Sequence, residues 1–385
     1  MKRIQFLPVI LAVLLFSACS HHTETTKMKN QLLSPSVLPY GVPDFSAITD
    51  ADFQPAIEQG MKEHLAEIEA IANNPEAPTF ENTMVAMEKS GSTLNRAHSI
   101  FSLLTGANTD PELQKIDELE APKLAAHFDA IFMNDKLFQR VKTLYNKRDN
   151  LGLDAEGKRL IEYFYQKFIL AGANLSEGDK VKMKKLNEEE ATLSSQFSNR
   201  LLAAAKAGAL IVDDSAKLAG LSESEIMAAA KSAEAAGQKG KYLISLQNTT
   251  QQPDLQSLTN RDVRKELFEH SWNRAVRGDS NDTRSIIIRL AEIRALQAHL
   301  LGFKNYACWK LQDQMAKTPE AVNNLLAKII PATKEKAMKE AADIQKLIDK
   351  QKGGFKLEPW DWEFYSEQVR KEKYDLDESQ IKPYF

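Results

Sequence analysis

Apolar residues recur every three or four positions along most of this chain, the period of a helix with one buried face. Ile57, Met61, Leu65, Ile68 and Ile71 form one such stripe, and Asp50 stands where a helix cap belongs. Thr79 can cap a second helix with Glu81 and Asn82 in its first turn, and Asp110 followed by Pro111 is a strong start for a third. Further helices are predicted over roughly 135–148, 154–171, 176–207, 222–236, 260–277, 282–301 and 318–351. In the last of these Val322, Leu326, Ile329, Ala337, Ala341, Ile344 and Ile348 keep one stripe for several turns, and Pro331 is expected to kink it. Two short β-branched or aromatic runs, 209–212 and 242–246, break the period and are expected to pair as a ribbon resting on helices. The fold class is therefore mainly α with a minor β-ribbon.

The first residues are of another kind. Lys2 and Arg3 precede an apolar run from Ile4 to Phe16 broken only by Gln5 and Pro8, which reads as a signal peptide over residues 1–18. The run is shorter than the ~20 residues of a spanning helix. Ser17 and Ala18 lead into Cys19, which resembles a bacterial lipoprotein cleavage site with its Leu, Leu15, one position early. The expectation is export to the periplasm with lipid on Cys19, so that the membrane is met only through that anchor; plain secretion is the alternative. Residues 19–45 read as a polar, Pro-punctuated tether in which His21 and His22 are solvated. With Cys19 modified, Cys308 is the one thiol left and no intrachain disulfide can form. Its neighbours Tyr306, Ala307 and Trp309 favour a buried small residue over a reactive thiolate.

The 385 residues, 43% hydrophobic and 27% charged, suit a globular protein of two packed lobes, since single cores stop growing at about 250–300 residues. A net charge of -3 lacks the basic excess that nucleic acid demands. A metallopeptidase helix of the HExxH type needs two histidines four residues apart with a Glu beside the first, and this sequence holds no such motif. Outside the tail, His64, His98, His127, His270 and His299 are scattered; His64 with Glu63 or Glu67, or His270 with Glu269, offers only stray ligands, and each reads as a surface or half-buried helical histidine. There is no nucleophile elbow, phosphate-cradling glycine loop or CxxC pair. Lys184, Lys185 and Glu188, Glu189, Glu190 read as a solvated face. No catalytic or metal-binding residue is assigned.

Longer strings carry more. Pro55-Ala-Ile-Glu-Gln-Gly, Glu67-Ile-Glu-Ala-Ile-Ala-Asn-Asn, Pro78-Thr-Phe-Glu-Asn-Thr, Phe101-Ser-Leu-Leu-Thr-Gly-Ala-Asn, Asn260-Arg-Asp-Val-Arg, Met315-Ala-Lys-Thr-Pro and Pro359-Trp-Asp-Trp succeed one another in order. In order and spacing they resemble the N-terminal region of bacterial peptidyl-dipeptidases of the thimet oligopeptidase and neurolysin family. The resemblance covers nearly all of the chain after the tether. It implies a helical, two-lobed zinc peptidase that cuts short peptides inside a deep channel and removes dipeptides from their C-terminus, with a zinc-activated water as attacking group. It also implies that the HExxH helix and a further zinc-binding Glu come after the region matched here, so no metal ligand can be carried over. Residues 46–385 are then expected to form the helical N-terminal region, supplying channel walls, binding no zinc and inactive alone, with short peptides and a C-terminal catalytic portion as partners. The alternative is a non-catalytic, peptide-binding surface lipoprotein. Trp360, Asp361, Trp362 and Tyr365 are candidates for lining the channel, with core packing as the competing reading.

Overall fold

The computed structural model describes residues 30–247, 252–374 and 384. The expected signal peptide, Cys19, His21 and His22 lie outside them.

The chain is helical almost throughout. Helix α1 (Asp50–Ala72) buries Phe53, Ile57, Met61, Ile68 and Ile71. Its cap is Thr49, not Asp50: the Asp52 carboxylate accepts from the Thr49 N–H (2.9 Å) and hydroxyl (2.7 Å), and Asp50 becomes the first helical residue. Thr79 does cap the next element, but that element is a π-turn, Phe80–Val85, running into a short α2 (Ala86–Lys89). Gly91, at φ 71°, then restarts the chain as α3 (Ser92–Ala107). Helices α1 and α3 lie so close that a Cβ on Gly60 would stand 2.6 Å from the Leu94 Cα. Asp110 caps α4 (Pro111–Phe132), accepting from Glu112 and Leu113, with Pro111 at the first turn.

Next come α5 (Asp135–Lys147), α6 (Ala155–Ala171) and the 31-residue α7 (Glu177–Ala207). Two apolar clusters sit among these helices, one around Phe53, Ile57, Leu94 and Phe101, the other around Ile68, Leu137, Phe138, Ile161 and Phe168. Strands β1 (Leu210–Val212) and β2 (Tyr242–Ile244) pair antiparallel, Leu210 opposite Ile244, as the two runs predicted. Between them lies α8 (Glu223–Ala235), and a third cluster fixes the ribbon against α8 and α9 (Arg261–Trp272). Helix α9 ends five residues before the pattern suggested, because Asn273 closes it: its side-chain amide donates to the Glu269 carbonyl at 3.0 Å. Helices α10 (Arg284–Leu300), α11 (Tyr306–Lys310), α12 (Pro319–Lys350) and α13 (Trp362–Tyr374) complete the described chain. Cys308 is half-buried in the first turn of α11, not enclosed; its N–H is taken by the capping Asn305 at 2.9 Å.

Two more readings need correction. Glu189 and Glu190 are not a solvated face: they pair with Arg289 and Arg294 of α10 at 2.6 and 2.8 Å. The apolar stripe of α12 is not buried along its length: among the described residues only its last turns are covered, where Ile344, Leu347 and Ile348 pack with Tyr365 of α13. Among the described residues no helix is long and apolar enough to cross a membrane.

Candidate functional site

The four residues singled out as channel lining meet at the junction of α9 and α13. Asp361 is fully buried and forms a three-residue clasp. Arg261 donates to it from Nε and Nη2 at 3.0 and 2.8 Å, and the equally buried Arg264 donates at 3.1 Å. Arg264 also gives two bonds to the Leu258 and Thr259 carbonyls and lies 4.1 Å from the Phe364 ring centre, while Arg261 stacks 3.9 Å over Phe355. The carboxylate gives the fully buried Arg264 its counter-charge and ties the partly exposed Arg261 to the same point, which is a structural duty. Tyr365 is buried in the α12–α13 core. Trp362 is half-buried against the same core, and Trp360 is half-buried with its ring edge-on to Phe268 at 6.3 Å.

Open apolar surface lies elsewhere, along the first two thirds of α12. Leu325, Leu326, Ile329 and Ile330 are 45–59% exposed, and Met338 continues the exposed face. Of the stripe read from sequence, only Ile344 and Ile348 are buried. Contiguous apolar surface of this kind marks a binding or assembly face.

The histidines are the other place where chemistry can gather, and the structure joins two that sequence spacing kept apart. His64 of α1 and His127 of α4 meet ring to ring, Nδ1 to Nε2 at 3.0 Å. The Ser90 hydroxyl donates to the Met87 carbonyl at 2.7 Å and so accepts from His64 Nε2 at 3.2 Å. It follows that His127 Nε2–H is the donor to His64, leaving His127 Nδ1 buried without a partner. Both rings are neutral at ordinary pH: burial lowers His64, and burial with the His64 ring beside it lowers His127 to about 4. Ser90, with its proton committed to a carbonyl, is not an activated nucleophile. His98 is half-buried and also lowered by burial. His270 hydrogen-bonds the Gly208 carbonyl and His299 the Lys304 carbonyl.

These residues do not fit zinc. His64 Nδ1 is spent on His127, the Glu67 carboxylate is spent on the Gly91 N–H at 2.7 Å, and among the described residues no group of three or more His, Cys, Asp or Glu is disposed to hold a metal.

Residues 255–385, which contain the Asp361 clasp and α12, match the model of peptidase family M3. The dipeptidyl carboxypeptidase of Escherichia coli strain K12 is 52% identical over 356 residues, 92% of this chain and 52% of that protein. The chain belongs to peptidase family M3. The dipeptidyl carboxypeptidase of Salmonella typhimurium is 50% identical over 92% of the chain and 52% of the relative. A more distant member, oligopeptidase A of Haemophilus influenzae, is 29% identical over 93% of the chain, again 52% of its own length. The chain thus spans about half the length of the curated family members it matches. The resemblance seen in the sequence and the mainly α fold both stand.

Proposed function

We propose that this chain is the N-terminal half of an exported, zinc-dependent peptidyl-dipeptidase that removes C-terminal dipeptides from oligopeptides. In this reading residues 46–385 supply channel walls and hydrolyse nothing alone, the zinc ligands belong to a C-terminal portion, and lipid on Cys19 anchors the protein outside the cytoplasm. The observation that carries it is the 52% identity, maintained over 92% of the chain, to a protein named dipeptidyl carboxypeptidase. The exposed stripe of α12 supports it, since a helix with one apolar face is stable in water only when a partner covers that face.

The test is a fusion. Residues 30–385 are joined to the remainder of the E. coli relative and assayed, beside residues 20–385 alone, for dipeptide release from an N-blocked tripeptide. The expected result is chelator-sensitive turnover by the fusion and none by the shorter protein with added zinc. Turnover by residues 20–385 alone would overturn the division of labour; a folded fusion without turnover would overturn the assignment to a peptidyl-dipeptidase. For the anchor, Cys19→Ala in the full chain should move the protein from the membrane to the soluble fraction, and unchanged partition would exclude it.

A further inference from the structure

A cavity of about 470 Å³ opens between α1, α3, α4 and α6, within the size range of small-molecule sites. Its floor is apolar: Ile68, Leu124, Phe128, Ile131, Phe132 and Phe164 line it, and Phe128 is 43% exposed to it and to solvent. Its rim is cationic. Lys89 and Lys167 both line the opening, and neither has a carboxylate partner among the described residues. Lys167 is held 4.5 Å over the Phe132 ring, which fixes its ammonium beside the apolar floor. Between the lysines and the floor, α3 begins with no side chain capping it. The bare Gly91 at its cap leaves room for the His64 ring, which would lie 2.8 Å from any Cβ there. Its first-turn N–H groups add partial positive charge to the same rim, offset in part by the Glu67 carboxylate that accepts from the Gly91 N–H at 2.7 Å. On the wall His98 is half-buried and hydrogen-bonds no described residue, so a polar group inside the cavity is unspent.

We propose that this cavity is a binding site for a small carboxylate with an apolar body, the carboxylate held between Lys89 and Lys167 and the body on the phenylalanine floor. A neutral His98 offers one hydrogen bond to such a ligand. Glu88 is the one acidic residue on the lining. It disfavours a second negative charge and offers an ammonium group a partner, so the ligand carries one carboxylate and is either an unblocked apolar amino acid or dipeptide, or a simple aromatic or fatty acid. The volume suits a body of one or two side chains.

Calorimetric titration of the purified full chain with N-acetyl-L-phenylalanine, N-acetyl-L-phenylalaninamide, L-phenylalanine and octanoate tests this. The acid is expected to bind at least about tenfold more tightly than its amide, and K89Q/K167Q to erase that difference. Both lysines are exposed and outside any ion pair among the described residues, so the double variant keeps the fold. Tighter binding of L-phenylalanine than of its acetylated form assigns the amino-acid class with Glu88 on the ammonium, and tighter octanoate binding assigns the simple acids. Equal affinity for acid and amide, no saturable binding by any probe, or unchanged preference in K89Q/K167Q would overturn the proposal. Nothing is cleaved in this experiment, so its failure and that of the peptidase reading are separable.

Discussion

Helices α7 and α12 are nearly equal in length, 31 and 32 residues, yet the more apolar of the two is the less covered. Helix α7 buries few apolar residues, Met183, Ala204 and Ala205, and is held largely by polar groups. Asn187 donates to Asp129 of α4, Ser195 hydrogen-bonds Asp117, Asn199 donates to Glu118, and Glu189 and Glu190 meet arginines of α10. Gln297 of α10 closes the network, donating to both Asn187 and Glu190. Such bonds require partners at fixed positions, and this stretch of chain supplies most of them, leaving one oxygen each of Asp129 and Gln297 buried without a partner. Helix α12 carries a regular apolar stripe, and among the described residues its buried side chains, Ile344, Leu347 and Ile348, all lie at its C-terminal end against α13. A polar helix can be finished locally by matching; an apolar face needs area, and the described residues do not provide it.

The fastening of α12 is therefore where the two regions can be separated most sharply. Because α13 is tied to α9 by Asp361, Asp361→Ala strands Arg264, itself fully buried, without a counter-charge. Loss of one partner from a buried pair costs about 3–5 kcal/mol. Hydrogen exchange should show protection lost across α12 and α13 while α7 and α10 keep theirs. If protection falls equally in α7, the two regions form one cooperative unit and the contrast between them disappears.

A smaller effect probes the α7 side. Asp129 is buried with only Asn187 Nδ2 to satisfy it, at 2.7 Å, and its second oxygen has no partner. Burial pushes its pKa up to about 6 from an ordinary 3.8, against the lowering effect of Asn187. A raised carboxyl prefers its proton in the folded state, so its favourable contribution is full below pH 3.8 and is lost as pH rises through about 6. Asp129→Asn keeps an acceptor for Asn187 and removes the charge. The variant should be more stable than the parent by about 1–2 kcal/mol at pH 8 and equal to it near pH 4. His127, depressed to about 4, acts with the opposite sign below pH 6.5 and is common to both proteins, so the difference between their denaturation curves isolates Asp129. A parent more stable than D129N at pH 8 would show that the α4–α7 seam uses the charge.

The contrast also marks how far sequence can be read. Helix starts are legible because caps are local: Thr79, Asp110 and Pro111 act within one turn, and Thr49 is hidden only by the equally plausible Asp50 beside it. The ribbon is legible because two β-branched runs stand out from a helical background. Spacing cannot join His64 to His127, since their helices meet only through tertiary packing across 63 residues. The role of Asp361 is hidden for the same reason: Arg261 lies 100 residues away, and Trp360 and Trp362 on either side suggest an aromatic wall. The stripe of α12 is legible as an apolar face, but a period of three to four says which residues share a face and nothing about what covers it.

That last distinction sets the smallest expected effect and the one most specific to α12. Leu326→Ser with Ile330→Ser removes two apolar side chains that are 45% and 57% exposed in the described chain. Substitutions at such positions stay within about 0.5 kcal/mol, whereas truncating the fully buried Phe138 costs about 3–5 kcal/mol. Chemical denaturation of the double variant should therefore match the parent closely. Its self-association, followed by analytical ultracentrifugation across concentrations, should fall, because exposed apolar area is what draws copies together. A double variant that loses stability instead would mean that Leu326 and Ile330 are already covered in solution. The free face of α12 would then have a partner within the chain, and the reading of α12 as a wall awaiting its other half would lose its structural support.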